Sequence, residues 1–159
     1  MGLMNYNIAI IYTSVTGNTK DLAEHLCSCF EENGQFPILY DISKFPFSEI
    51  ERFHVVIIAT YTWGNGDIPA SMQPLYDAFE QQNTKSIITG VAGTGDSFYP
   101  SFCGAVDAFR DMLYVKSTLA ATLKIELAPQ ESDIPRCRLF AKSILKRLEK
   151  ELFQKQLES

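Results

Sequence analysis

The sequence predicts an α/β fold, a three-layer sandwich in which a five-stranded parallel sheet carries helices on both faces. Three observations predict it. Strand-like and helix-like segments alternate along the whole chain. The main strand-like runs are continuously apolar, as strands covered on both faces are. The unusual residues collect in three loops, each following a strand, and in open α/β sheets ligands bind beyond the C-terminal strand ends.

Ile8–Thr13 is a short β-branched apolar run and reads as a buried strand. Gly17–Asn33 follows with Leu22, Ala23, Leu26 and Phe30 at helical spacing, and Gly34 ends it. Phe36–Tyr40 is a shorter strand, and Pro37 places it at a sheet edge. His54–Thr60 is a continuous apolar strand, and a helix runs from about Ser71 to Gln82. Ser86–Ala92 is the next strand, and Gly104–Leu113 the next helix. Thr118–Leu127 is the last strand. The final helix, Arg136–Phe153, has Leu139, Ile144, Leu145, Leu148 and Leu152 as its apolar positions. No repeat or linker interrupts the pattern, so residues 1–159 read as a single domain.

A chain of 159 residues, 46% hydrophobic and 21% charged, buries a core without disulfide staples. Cys27 and Cys29 point to different helix faces, and neither they nor Cys103 and Cys137 have metal-ligand spacing. Free thiols in a reducing cytoplasm are the expectation. The start of the sequence has no basic region or cleavage site, and Tyr6 breaks the myristoylation pattern of the Met-Gly start. No run is long enough to span a membrane. Net charge is −5, yet Arg136, Arg138, Lys142, Lys146, Arg147, Lys150 and Lys155 crowd the last helix against three acids. That helix reads either as a solvated face or as one pole of a molecule whose acidic body docks on basic partners. The acidic body, without a basic stripe, disfavours nucleic acid.

The first loop, Thr13-Ser14-Val15-Thr16-Gly17-Asn18-Thr19, joins a strand to a helix start. Helix N-termini attract anions because their first N–H groups lack partners and the dipole is positive there. No Gly-Lys-Ser/Thr is present, so the loop suits a phosphate that is held rather than transferred; an ordinary N-cap uses the same residues. The second loop, Thr60–Pro69, contains Tyr61, Thr62, Gly64, Asn65, Gly66 and the chain's one tryptophan, Trp63, which is either a core residue or a stacking plate. The third, Gly93–Cys103, again places an aromatic, Tyr99, beyond a strand end, among Thr94, Gly95, Asp96 and Phe102. A planar ring between Trp63 and Tyr99, its phosphate tail at Ser14–Thr19, accounts for all three. Loop amides near Gly95, Asp96 and Cys103 would bond the polar edge of such a ring.

The motifs Ser14–Thr19 (SVTGNT), Thr62–Gly66 (TWGNG) and Gly95–Ala105 (GDSFYPSFCGA) resemble those of flavodoxins, and the element order matches over the whole chain. The uninterrupted last strand is similar to the short-chain form. The resemblance implies strand order 2-1-3-4-5 and a non-covalent FMN. It implies a cofactor set of Thr13 through Thr19, Tyr61 through Gly66, Gly93 through Asp96, Tyr99, Phe102 and Cys103, with no catalytic or metal site. Ser14, Thr16, Asn18 and Thr19 would hold the phosphate, and Trp63 and Tyr99 would flank the ring. Gly64 would turn its carbonyl toward N5–H of the one-electron-reduced flavin. Val15 stands where many members have Thr, and Asn65 where the family often has an acid.

The function implied is low-potential single-electron transfer between a reductase of the ferredoxin/flavodoxin–NADP type and acceptor proteins. Docking would be transient, at the flavin edge, by a cytoplasmic monomer without substrate turnover of its own. The alternatives are an activator of ribonucleotide reductase, which usually lacks the Thr-Trp-Gly loop, and an FMN-dependent quinone reductase, which needs a second pocket over the flavin.

Overall fold

The computed structural model describes residues 4–158; the Met-Gly start lies outside them. The strands are β1 (Ile8–Tyr12), β2 (Ile38–Asp41), β3 (Val55–Tyr61), β4 (Ile88–Gly95) and β5 (Thr118–Glu126). The helices are α1 (Asn18–Glu32), α2 (Gln73–Gln81), α3 (Gly104–Lys116) and α4 (Ile134–Glu158). The strands form one sheet in the order β2-β1-β3-β4-β5, with every pairing parallel. This is the implied order, and β2 is the edge strand that Pro37 pointed to.

Side chains alternate across a strand, so each strand feeds two cores. Ile8, Ile10 and Tyr12 of β1, with Val55, Ile57 and Ala59 of β3, pack against α1 and α4. Ala9, Ile11, Val56 and Ile58 point the other way, onto α2 and α3. The helices therefore cover both faces, and the continuous apolar runs follow from that. Strand order reverses around β1, so the loops after β1 and β3 leave toward opposite faces and open a crevice between them.

The boundaries differ from the sequence reading where glycine or polarity misleads. β4 does not stop at Ala92: Gly93 and Thr94 stay in register with both β3 and β5, and Gly95 with β5. Gly93 is there because α3 lies on it; a Cβ would sit 2.4 Å from Val106 Cγ2. α2 starts two residues later than expected, after a 3-10 turn at Ala70–Met72. α4 is longer at both ends than Arg136–Phe153, since Pro135 is tolerated in a first helical turn and the polar tail is rich in helix formers. β5 ends at Glu126, one residue short of the expected end, because Leu127 turns to φ 58.

Candidate functional site

The three loops meet at the C-terminal end of the sheet. In the first, the Thr13 N–H donates to Ala59 O (3.2 Å), and the Thr13 and Ser71 hydroxyls lie 2.8 Å apart. Ser14 Oγ accepts the Gly17 N–H at 3.1 Å, and Gly17, at φ 97, is the N-cap of α1. Thr19 and Thr94 share a buried hydroxyl–hydroxyl bond of 2.8 Å that pins the helix start to β4. Among the described residues, the N–H groups of Val15, Thr16, Asn18 and Thr19 find no acceptor in the protein. They form a cluster of donors at the positive end of a helix dipole.

The second loop is a small hairpin. Trp63 and Asp67 exchange two backbone bonds of 2.8 Å each, with Gly64 (φ 54) and Gly66 (φ 108) between them. Thr62 Oγ1 accepts the Ala105 N–H at 3.1 Å, which fastens the loop to the first turn of α3. The backbones touch there as well: a Cβ on Gly104 would lie 2.7 Å from Gly66 Cα. Trp63 is held out to solvent, 64% exposed, so of its two readings the core one is set aside.

The third loop is knit by Asp96, whose Oδ1 accepts the Phe98 N–H at 2.9 Å and whose carbonyl accepts the Tyr99 N–H at 3.1 Å. Phe98 and Tyr99 meet edge to face at 6.0 Å, and Tyr99 is 64% exposed. Cys103 is buried, at φ 51, with its thiol toward Gly93 O and Ile125 O. Burial pushes that thiol up to about 11, so at neutral pH it is neither a nucleophile nor a thiolate ligand.

Two cavities open between these loops. One, of about 330 Å³, is lined by Val15, Thr16, Asn18, Thr19, Tyr61, Trp63, Thr94 and Leu127. The other, of about 580 Å³, is lined by Gly64, Asn65, Tyr99, Pro100, Ser101, Phe102 and Cys103. Thr62, Gly95 and Asp96 belong to both, so the two form one groove. Of the residues singled out in the sequence, Thr13, Ser14, Gly17, Gly66 and Gly93 lie off its walls, in supporting positions. Leu127, Pro100 and Ser101 line the groove and were missed. Pro100 and Ser101 sat inside a recognised motif, whereas Leu127 carried no signal.

The donor set fits the cofactor the resemblance implies. N–H groups and hydroxyls at a helix start suit a phosphate, and no Lys or Arg lines either cavity among the described residues. Exposed aromatic faces border the rest, and the volume is that of a site for a mononucleotide-sized ligand.

A family model described as Flavodoxin matches residues 10–140. The chain belongs to the flavodoxin family. It is 35% identical over 139 residues to a probable flavodoxin 1 of Bacillus subtilis (strain 168), spanning 86% of this chain and 88% of that one. The structure of a Streptococcus pneumoniae TIGR4 flavodoxin superposes with a TM-score of 0.81 at 30% identity, covering 88% of this chain and 98% of the other. Oxidised flavodoxin 1 from Bacillus cereus gives 0.80 at 30% identity, covering 88% and 97%. Flavodoxins are FMN-binding electron carriers; this chain is one of them, and FMN is its cofactor. No helix among the described residues is long and apolar enough to cross a membrane.

Proposed function

We propose that this flavodoxin is a low-potential one-electron carrier, a cytoplasmic monomer whose residues 1–159 form one domain and which turns over no substrate itself. The continuous groove across the switch point carries this reading. At one end it offers the N–H donors of Val15, Thr16, Asn18 and Thr19, unpaired among the described residues; across the rest it offers the exposed faces of Trp63 and Tyr99. The donors would hold the phosphate, and the aromatic faces would flank the ring. Bound FMN supplies the redox chemistry, taking up electrons one at a time.

The chain's part is to separate those two steps. The Trp63–Asp67 bonds fix the base of the second loop and leave Gly64 and Asn65 at its tip. Gly64 already sits at φ 54, where a glycine turns its peptide at little steric cost. A Gly64 carbonyl turned inward would accept a hydrogen bond from an N–H at the edge of the bound ring and so would favour one-electron over two-electron chemistry. Walls that among the described residues hold no Lys or Arg, with Asp96 among them, would disfavour negative charge on a bound ring. The partners would be a reductase of the ferredoxin/flavodoxin–NADP type and redox acceptors, docking at the groove's open edge.

Stepwise anaerobic reduction of the FMN-loaded protein, followed by absorbance, tests this. A long-wavelength band that rises and then bleaches is expected. Direct bleaching without that band would move the assignment to two-electron chemistry.

A further inference from the structure

Two non-glycine residues among those described have a left-handed backbone, Cys103 at φ 51 and Leu127 at φ 58. L-residues adopt that conformation reluctantly, and branched apolar ones such as leucine have no local hydrogen bond to offset it. Cys103 is offset by packing, since it is 1% exposed and part of the α2/α3 core. Leu127 is not. It is 50% exposed, it lies in neither core cluster, and only its backbone N–H is held, by Gly95 O at 2.7 Å. Its side chain lines the narrower cavity beside Val15 (75% exposed) and Trp63 (64% exposed).

An exposed leucine held in a disfavoured conformation at a cavity wall is the pattern of strain kept for a ligand. We propose that Leu127 is a direct FMN-contact residue, and that bound FMN, rather than the protein's own core, gives its side chain the burial that offsets its backbone strain. Leu127, Val15 and Trp63 then form one apolar wall, open in the apoprotein and covered in the holoprotein. The proposal rests on the FMN reading of the groove.

The test compares Leu127→Gly and Leu127→Ala with the parent, by FMN titration and by thermal unfolding of the apoproteins. Both variants lose the apolar contact, so each should bind FMN about tenfold more weakly. Only glycine relieves the strain, so the Leu127→Gly apoprotein should melt above the Leu127→Ala apoprotein. A Leu127→Ala apoprotein that melts at the same temperature or higher overturns the strain. A parent that binds FMN while both variants bind it equally well overturns the contact alone. A parent that binds no FMN overturns the cofactor reading and the contact with it.

Discussion

Asn65 stands at the tip of the loop closed by Trp63 and Asp67, on the wall of the wider cavity, where flavodoxins often carry an acid. A carboxylate there would add one negative charge beside a ring that becomes anionic with its second electron. Asn65→Asp is therefore expected to lower the second one-electron potential by the equivalent of about 1 kcal/mol, the size of a contact between charges in a mostly aqueous setting. A redox titration giving an unchanged or higher potential would sink the electrostatic account. The thiols give a second residue-scale expectation. Burial raises both Cys103 and Cys137 from 9.0 to about 11. Below pH 9 the folded and unfolded thiols are both protonated. Between 9 and 11 the unfolded thiols ionise while the folded ones do not, so stability falls as pH rises through that window. Cys137 lies on α4, away from the groove, so Cys137→Ala should flatten the fall measured by urea unfolding at pH 8, 9.5 and 11. Equal slopes in parent and variant would show that this thiol does not set it.

At the scale of elements, the groove depends on how α3 carries the second loop. Gly104, the first residue of α3, lies so close to Gly66 that a Cβ would approach its Cα at 2.7 Å and its carbonyl oxygen at 2.9 Å. Backbone cannot yield as a side-chain tip can. Gly104→Ala is expected to destabilise the fold by about 1–3 kcal/mol and push the Trp63 hairpin outward. FMN affinity should drop about tenfold, and a variant that binds as the parent does would show that the hairpin tolerates the shift. This contact also marks how far the sequence could be read. The strands, their edge and the three loops were legible because β1 and β3 are apolar on both faces, and because glycine, hydroxyl and aromatic residues cluster after strands. What stayed hidden depended on tertiary approach. Gly93 read as loop because its reason for being glycine is Val106 on α3. Leu127 read as strand because nothing in its own neighbourhood announces a left-handed turn. Gly66 and Gly104 lie in two different motifs, and their mutual contact follows only from the fold.

Across the whole molecule, the charges separate into two poles. Among the described residues the groove's lining holds Asp96 and no Lys or Arg, and Asp67 closes the adjacent hairpin. On α4, by contrast, Lys142, Lys146 and Lys150 lie about one helical turn apart and are exposed, and Lys142 and Lys146 sit beside Asn33 and Gln35 at the far end of α1. A basic partner approaching this dipole is steered groove-first, which brings the redox edge forward and keeps the cationic helix behind. Such steering is screened by salt, with a Debye length of about 8 Å at physiological ionic strength. Electron transfer from the proposed reductase partner should therefore slow severalfold from low to high salt. Asp67→Asn should slow it at low salt and weaken the salt dependence, because it removes charge from the docking pole. Lys142→Glu with Lys146→Glu should leave the low-salt rate unchanged or slightly faster, since those lysines face away from the encounter. Stopped-flow rates across a salt series decide between the poles. If the lysine double variant is the slow one and Asp67→Asn matches the parent, the partner docks along α4, and the groove's acidic edge plays no part in its capture.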